Sequence, residues 1–501
     1  MSFTPRTPVN ENPDRAAYRR SFVTRHQVTG WRFAMRRIAS GLALRDTRML
    51  TDPLRAQSRS VLMGILIVIT GLIGCFLFSL IRPNGSVGEN SVVADRDSSA
   101  LYVRVDDQLH PVLNLASARL IVGKAVQPKA VGGSGLDQLP RGVTVGIPGA
   151  PERMMQNNSR DADWIVCDST GAADPGVTVL AGPPATGGER ASTLPPDRAV
   201  LVASGPPEAP LTWLLWGGRR SVIDLADHAV TDALGFGGQT PVARPIAQGL
   251  FNAIPEGTPL RAPVIAGAGS PPQFPLSVPA SVGAVVAAYG TDSAMMYYAV
   301  LPDGLQQVSP VLAALLRNTN SYGLQQPPRL GVDEIARTPV SRILDTAAFP
   351  DQRIGLVDAA SSPVTCVRWT KPADAGTSSL ALLSGAAVPI ADGVRPVDLP
   401  GPADGATAAR VAVPTGKGYL VQTVAQEQTA PPTGSSFWIS DTGMRFGIDA
   451  ANPDELATTI AALGLTPPAM PVPWSMLTLF SAGPALSKAG ALTAYVGTET
   501  R

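Results

Sequence analysis

The chain has 501 residues, too many for one small domain, and its 45% hydrophobic content is enough to form a packed core. Its 49 Gly and 48 Pro lie between apolar runs, which indicates turns and loops and excludes a low-complexity protein. The net charge of +1 is unevenly distributed. Residues 1–60 carry twelve Arg, no Lys and four acids, giving +8, and residues 61–81 carry no charge, so the remainder carries +1 − 8 = −7.

The uncharged run at residues 61–81 predicts a transmembrane helix. It reads VLMGILIVITGLIGCFLFSLI, and a helix needs about 20 apolar residues to cross the hydrocarbon core. A cleaved signal peptide has a shorter apolar region close to the start of the chain, whereas this run follows 60 residues. The sequence therefore predicts an uncleaved, single-pass anchor.

The arginines around this run predict its orientation. Arg45, Arg48, Arg55 and Arg59 precede the run, and only Arg82 closely follows it. Because cytoplasmic flanks carry the excess of basic residues, we expect residues 1–60 in the cytoplasm and the large C-terminal region outside the membrane. Nucleic acid is the other partner class that a basic tail suggests, but a basic tail that ends at a hydrophobic span favours the membrane instead.

Within the basic tail, residues 22–44 have the periodicity of an amphipathic helix. Apolar residues recur at intervals of three and four and would lie on one face, which we call the apolar stripe. The apolar stripe consists of Val28, Trp31, Met35, Ile38 and Leu42. A basic amphipathic helix lies on anionic lipid or docks on a partner protein. The candidate contact residues are Trp31, Arg32, Met35, Arg36, Arg37 and Ile38. Residues 1–20, rich in Pro, Arg and Asn, are predicted to be disordered.

Two of the three cysteines, Cys167 and Cys366, lie beyond the predicted span. An oxidising compartment favours a disulfide between them, and two buried free thiols are the alternative. In the chain-entropy model, a disulfide that closes a loop of about 200 residues stabilises the folded protein by roughly 4–5 kcal/mol. Cys75 lies within the span and is interpreted as an apolar filler.

Four segments of the C-terminal region share one pattern: an aromatic residue in an apolar run, a tight turn, a second short strand and a helix. Their turns are Asp106-Asp107, Gly217-Gly218, Asp303-Gly304 and Thr442-Gly443. Helix starts are predicted at Ser309-Pro310 and Asn452-Pro453, and left-handed helix ends at Gly123, Gly235, Asn318 and Gly464. Strand-like stretches between the segments, at 161–205 and 351–430, predict a central β domain that the disulfide would join.

The sequence contains few signs of catalysis. It has no phosphate-binding GxxxxGK[ST] loop and no GxSxG motif, and the two fragments nearest to a phosphate loop begin at Gly123 and Thr415. His26, His110 and His228 have no metal-ligand spacing, so no catalytic, metal or cofactor site is predicted. Trp213, Trp216, Trp369 and Trp438 could stack on glycan, although tryptophans at strand positions are more often core residues.

The ordered motifs resemble the EccB family, a membrane core component of the mycobacterial type VII (ESX) secretion system. The resemblance is carried by the tail SFVTRHQVTGWRFAMRRIASGLALRDTRMLTDPLRAQSRS before one span, and by ADRDSSALYVRVDDQLHPVLNLASARLIVG, GIPGAP, YYAVLPDGLQQVSPVLAALL and GPALSKAGAL. It covers nearly the whole chain. Within the family, the sequence looks most similar to the paralogue of the third ESX system.

This resemblance implies a place in the inner membrane beside EccC, EccD and EccE, and self-association of EccB in the periplasm. It implies an α+β fold: one transmembrane helix, then an elongated periplasmic domain of four repeats around a central β domain tied by the disulfide. The expected boundaries are 1–60 for the cytoplasmic tail, 61–81 for the span, 82–160 for a linker and repeat 1, 161–205 and 351–430 for the central domain, 206–275 for repeat 2, 276–350 for repeat 3 and 431–501 for repeat 4.

The expected function is that of a scaffold subunit of the secretion complex. The alternatives are an ATP-hydrolysing enzyme, since the family is often labelled an ATPase, and a peptidoglycan-binding module, which would make peptidoglycan a further partner. The sequence has no nucleotide motif to support the first of these alternatives.

Overall fold

The computed structural model describes residues 24–45, 53–81, 87–171, 175–206, 208–237, 241–290, 293–400, 405–431 and 433–495. The chain divides into two compact units, residues 1–84 and 85–501, called here the N-terminal and C-terminal regions. The predicted disorder at 1–20 and the predicted flanking residues Arg48 and Arg82 lie outside the described residues.

The N-terminal region has two described helices, α1 (Arg25–Leu44) and α2 (Pro53–Ile81). Helix α1 occupies most of the predicted amphipathic segment. Helix α2 contains the whole apolar run and begins before it, at Pro53. Residues 53–60 therefore extend the helix before the apolar run. Pro53 suits the first turn, because the N–H that proline lacks would have no hydrogen-bond partner there.

Module I is the first sheet of the C-terminal region, with strand order β3-β2-β1-β4. Its elements are β1 (Val92–Asp95), β2 (Leu101–Val105), β3 (Gln108–Val112), α3 (Leu115–Val122), β4 (Lys129–Val131) and α4 (Gly133–Leu136). The β2–β3 turn is Asp106-Asp107, as predicted, and both residues have positive φ. Such φ values suit the two-residue turns that match the strand twist, and Asp tolerates them better than most residues.

The chain then enters a central sheet, passes through module II and continues into module III. The central strands are β5 (Ala162–Ser169), β6 (Gly176–Ala181) and β7 (Ser192–Thr193). Module II contains β8 (Arg198–Ser204), β9 (Leu211–Trp216), β10 (Arg219–Val222), α5 (His228–Leu234) and β11 (Arg244–Pro245), and α6 (Gln248–Ala253) follows it. Module III contains β12 (Val285–Tyr289), β13 (Met295–Leu301), β14 (Gly304–Val308), α7 (Pro310–Thr319) and α8 (Val332–Arg337).

The remaining elements complete the central sheet and form module IV. After a 3-10 turn (Thr346–Ala348) come β15 (Gly355–Leu356), β16 (Val364–Lys371), β17 (Ser379–Gly385), β18 (Val397–Asp398) and β19 (Arg410–Ala412). Module IV contains β20 (Tyr419–Val424), β21 (Ser436–Ile439), β22 (Met444–Gly447), α9 (Pro453–Leu463), β23 (Met470–Pro473), α10 (Trp474–Leu477) and β24 (Ser481–Ala482), and α11 (Lys488–Leu492) follows it.

The four modules share one connectivity. Three antiparallel strands are followed by a helix, and the chain then returns parallel to the first strand. The returning strand is β4 in module I, β11 in module II and β23 in module IV. In module III, Arg329 forms a parallel bridge to Ala287 of β12. The sequence pattern found the second strand, the third strand and the helix of each module, and it missed that a preceding strand belongs to the same sheet.

The missed strand corrects the expected boundaries. Residues 198–204 and 419–424 were expected in the central domain, yet β8 pairs with β9 of module II and β20 pairs with β21 of module IV. Strand β15, also expected in the central domain, pairs with β8. A short, fully buried apolar strand has the same sequence pattern whichever sheet it joins, so the sequence alone could not assign these strands to a sheet.

The remaining strands of both central stretches form one seven-stranded sheet, in the order β18-β19-β6-β5-β16-β17-β7. One face of this sheet packs against modules II and IV and α6 in a shared apolar core. Modules II and III share a second core, and modules I and IV share a third. The modules therefore bracket the central sheet in two pairs, II with III and I with IV.

The predicted helix ends are mostly as expected. Ser309 and Asn452 cap α7 and α9, each before a first-turn proline. Gly123, Gly235 and Gly464 end their helices with positive φ, which glycine adopts at little cost. Asn318 was expected to end α7, but the helix continues through Thr319 and its cap, Asn320, is extended.

Candidate interaction surfaces

Helix α1 begins with a reciprocal capping box at Thr24. The Thr24 hydroxyl accepts a hydrogen bond from the Gln27 backbone N–H, and the Gln27 side chain accepts one from the Thr24 N–H at 3.0 Å. Two backbone donors that a helix start leaves free are thereby satisfied. These contacts favour a helix start at this point even though Gly30 and Gly41 weaken the helix interior.

The apolar stripe of α1 faces solvent. Trp31 is 65% exposed, and Met35, Ile38 and Leu42 are exposed as well. Phe33, which lies away from the stripe on the helical wheel, is half-buried. An exposed run of large apolar side chains on one helix face marks a surface that contacts a membrane or a protein. Arg32 and Arg36 lie between these two faces, whereas Arg37 lies on the other side of the helix.

Helix α2 has the properties of a membrane span. Its stretch Gln57–Phe78 is long and apolar enough to cross a bilayer, and none of it is buried against the rest of the chain. A core helix of a water-soluble domain would bury its apolar side chains, so this exposed apolar surface favours lipid as its surrounding. Cys75, exposed on this helix, is the free cysteine of the described residues.

In the C-terminal region, Cys167 and Cys366 form a disulfide in the middle of the central sheet. They lie directly opposite each other on the neighbouring antiparallel strands β5 and β16, and both are fully buried. The bond joins chain segments 199 residues apart, one from each central stretch. It therefore links the two halves of the sheet at the place where they pair.

A buried polar cluster lies beside the disulfide. Asp168 of β5 accepts a 2.7 Å hydrogen bond from the Ala247 N–H at the start of α6. Arg244 of β11 donates to the Ser362 carbonyl, also at 2.7 Å. Burial raises the pKa of Asp168 above its usual range, and the Ala247 hydrogen bond and the charge of Arg244 oppose the rise. These contacts tie the central sheet to module II.

Two further arginines join modules and helices through carbonyl groups at helix ends. Arg119 of α3 donates at 3.2 Å to the carbonyl of Leu463, the last residue of α9. Arg220 of β10 donates to the Phe251 and Ile254 carbonyls at the end of α6. Burial lowers the pKa of both guanidinium groups. The last carbonyls of a helix lack partners and carry partial negative charge, so each arginine satisfies a helix end.

No sequence pattern had singled out these arginines or Asp168. The signal for Arg119 is one charged residue inside the apolar run LASARLIV, and Asp168 similarly follows the run WIVC. A charge in such a run is buried with a specific partner, because burial without a partner costs several kcal/mol. That signal indicates a buried polar contact, but it does not identify the partner.

The four tryptophans considered for glycan stacking are core residues. Trp213, Trp216, Trp369 and Trp438 are all buried, so none presents a ring face to a sugar. Trp474 at the start of α10 is half exposed instead. Its ring lies 5.9 Å from that of Phe437, and the Arg445 guanidinium is 5.6 Å from it. No pattern in the sequence had selected Trp474.

The two fragments nearest to a phosphate-binding loop have the wrong surroundings. Gly123 ends α3, so Lys124 follows the carboxyl end of a helix, where the dipole repels anions. Gly416 lies in a turn that leads into strand β20 rather than into a helix. Phosphate loops place the anion at a helix amino end, which neither fragment provides.

His110 and His228 lie in different modules of the C-terminal region, on β3 and α5. The His110 Nδ1 donates at 2.9 Å to the Val143 carbonyl, and His228 is exposed at the first position of α5. Among the described residues, no three His, Cys, Asp or Glu side chains form a group that could hold a metal ion.

Comparison with known proteins identifies the family. The model described as the type VII secretion system ESX-1 transport transmembrane domain B, EccB, matches residues 20–498. The chain belongs to the EccB family. The matched residues include α1, α2, the central sheet and all four modules.

Individual relatives narrow this assignment. A Mycolicibacterium smegmatis protein named ESX-3 secretion system ATPase EccB3 is 62% identical over 100% of this chain and 96% of its own length. The chain of a solved EccB3 dimer from the ESX-3 core complex is 57% identical, with a TM-score of 0.72, over 81% of this chain and 100% of that one. A chain of an intact ESX-5 inner membrane complex is 34% identical, with a TM-score of 0.71, and the match covers 97% of this chain and 98% of that one. The EccB chain described here is thus more similar to the ESX-3 member than to the ESX-5 member.

Proposed function

We propose that this EccB chain is a structural subunit of an ESX inner-membrane complex and performs no chemistry of its own. One observation carries the proposal: the whole chain, from α1 to module IV, matches a family whose solved members are chains of ESX core and inner-membrane complexes. The residues of this chain suit such a role, because its chemically suggestive groups are used in packing and in joining modules.

The proposed topology places α2 across the inner membrane, α1 in the cytoplasm and the C-terminal region in the periplasm. The excess of arginine before the span supports this orientation. The disulfide supports it independently, because such bonds persist in the periplasm and are rare in the cytoplasm. The four modules are then repeats that extend the subunit around its central sheet and provide the contact with a second EccB chain.

We further propose that the apolar stripe of α1 holds the partner components EccC, EccD and EccE in place. Trp31→Ser/Met35→Ser in the full chain should reduce the co-isolation of these components from membranes. Leu44→Ser, also exposed on α1 but off the stripe, is the matched control and should leave co-isolation unchanged. If the double variant retains all partners at wild-type levels, the stripe is not the contact surface.

The rival function is ATP hydrolysis, the activity printed in the name of the 62% identical relative. The surroundings of Lys124 and Lys417 oppose it, since neither follows a loop at a helix amino end. The purified full chain should show no ATP turnover above a protein-free blank. Turnover that one acidic substitution abolishes would establish an enzyme and refute the structural proposal.

A further inference from the structure

We propose that a cleft between α1 and the first turns of α2 binds the headgroup of an anionic phospholipid. The cleft is lined by His26, Thr29, Arg32, Phe33, Arg36 and Gln57. The proposal rests on the membrane topology given above and adds a ligand to it. We call this site the arginine cleft.

The charge of the arginine cleft suits a phosphate group. Arg32 and Arg36 lie one helical turn apart, so both guanidinium groups can reach one anion. No ion pair or hydrogen bond joins either group to another described residue. Helix α1 itself contains no acid, and residues 24–60 carry eight Arg against two Asp. Guanidinium groups bind phosphate oxygens through paired, charge-assisted hydrogen bonds.

The position of the arginine cleft suits a lipid rather than a free anion. Gln57 is the first residue of the candidate span and lies four residues before Val61, where the uncharged run begins. At 1.5 Å per residue, this places Gln57 about 6 Å from the run. The headgroup layer is roughly 5–8 Å thick on each side of the hydrocarbon core, so the cleft lies at the depth of lipid phosphates.

The lining of the arginine cleft is amphipathic in the same way as a phospholipid. Phe33, half-buried, provides an apolar wall, and Thr29 adds a hydroxyl beside the arginines. The Thr29 hydroxyl already donates to the Arg25 carbonyl at 2.7 Å, so its oxygen remains available as an acceptor for headgroup hydroxyls. Basic pockets beside membrane helices on the cytoplasmic side bind acidic headgroups by these contacts.

The apolar stripe leaves room for this second ligand. Trp31 and Met35 lie on the side of α1 away from Phe33, because residues two apart on a helix differ by about 200°. A partner protein on the stripe and a lipid in the cleft would therefore occupy different faces of α1. The helix would be held at the membrane by the lipid while it presents its stripe to a protein.

The test uses the full chain in phosphatidylcholine nanodiscs that contain a minor fraction of phosphatidylglycerol, with bound phosphatidylglycerol counted by native mass spectrometry. Arg32→Gln/Arg36→Gln should weaken phosphatidylglycerol binding roughly thirtyfold, the loss that follows from removing two guanidinium groups from an anionic surface. The matched control, Arg25→Gln/Arg37→Gln, removes the same charge from the same helix outside the cleft. It should stay within about threefold of wild type, since neither side chain lines the cleft.

Three results would overturn the proposal. Equal losses in both double variants would show diffuse charge attraction without a site, and no loss in the cleft variant would show that its arginines bind no lipid. Displacement of phosphatidylglycerol by inorganic phosphate would show a site for soluble anions. Helix content measured by circular dichroism should match among the three proteins, which excludes unfolding of α1 as the cause.

Co-isolation of other ESX components with the same variants separates the two proposals. If Arg32→Gln/Arg36→Gln weakens phosphatidylglycerol binding while the other ESX components still co-isolate normally, the lipid proposal is supported. This holds whatever the stripe variant shows. Loss of partner proteins with unchanged phosphatidylglycerol binding would assign the cleft to a protein and overturn the lipid proposal. Failure of the wild-type chain to co-isolate any component would contradict the structural function while leaving the lipid measurement interpretable.

Discussion

At the scale of single residues, the Cys167–Cys366 disulfide joins the two halves of the central sheet where β5 and β16 pair. Two cysteines beyond a span, each in an apolar run, allow one intramolecular pair, and the structure joins Cys167 to Cys366. The sequence could not show that the bond lies between adjacent strands and is fully buried. This placement depends on a pairing between residues far apart in the chain, which no local pattern encodes.

Burial of the disulfide predicts that reductant will not reach it in the folded protein. In the native full chain, an alkylating reagent in the presence of mild reductant should leave Cys167 and Cys366 unmodified. After denaturation and reduction, it should modify all three cysteines. Modification of Cys167 or Cys366 in the native protein would contradict the buried bond.

Removing the bond should lower stability. Cys167→Ser/Cys366→Ser should reduce the free energy of unfolding by up to about 5 kcal/mol, because the open chain regains loop entropy on unfolding. The measurement is denaturant unfolding of the C-terminal region in the full chain, followed by tryptophan fluorescence. Cys75→Ser is the control and should leave the unfolding midpoint unchanged.

Asp168 predicts a pH dependence. Burial raises its folded-state pKa above the unfolded value, so the folded protein binds the proton more tightly. Stability should therefore fall as pH rises from the ordinary carboxyl pKa through the raised one. Asp168→Asn should remove this contribution to the slope, measured as unfolding midpoints across that pH range. The exposed Asp374→Asn should keep the wild-type slope, and an unchanged slope in Asp168→Asn would contradict the interpretation.

At the scale of elements, the sequence predicted each hairpin and its helix well. Turn residues such as Asp106-Asp107, Gly217-Gly218 and Gly443 carry the unusual φ values that the turns need, so chemistry and geometry coincide locally. The third turn differed slightly: Leu301 pairs with Gly304, so the turn is Pro302-Asp303 and Gly304 begins β14. Proline also favours the first turn position, and the motif Pro-Asp-Gly could not distinguish the two registers.

The contact between α3 and α9 predicts a measurable energy for one side chain. Arg119→Gln should destabilise the protein by about 1.5–3 kcal/mol, the range for hydrogen bonds to charged groups, because the Leu463 and Val126 carbonyls lose their donor. Arg141→Gln is the matched control. It breaks an exposed pair with Asp137, which contributes about 0–1 kcal/mol. Equal effects in the two variants would contradict a special role for Arg119.

At the scale of the whole molecule, the sequence predicted a central sheet with flanking modules but not the assignment of every strand. The first strands of modules II and IV are buried apolar runs like those of the central sheet, so composition could not separate them. The pairing of modules I with IV and II with III depends on helix contacts such as α3 with α9 and α5 with α7, which join distant segments of the chain. These contacts hold the C-terminal region together as a single unit with several linked cores.

The interaction surfaces of α1 were predicted from the sequence only in part. Helical spacing found the apolar stripe, and the structure leaves its side chains exposed. The same spacing grouped Arg32, Arg36 and Arg37 together, whereas the structure places the first two in the arginine cleft and leaves Arg37 out of it. That distinction required the position of α2 beside α1, which a pattern within one helix cannot supply.

The central claim is that one helix crosses the membrane with α1 in the cytoplasm and the C-terminal region outside. The most direct measurement is labelling of single introduced cysteines in spheroplasts with a membrane-impermeant maleimide, in a Cys75→Ser background. Thr186→Cys, exposed between β6 and β7, should be labelled in intact spheroplasts, and Ser40→Cys on α1 should be labelled only after permeabilisation. Labelling of Ser40→Cys in intact spheroplasts, or protection of Thr186→Cys, would contradict the account.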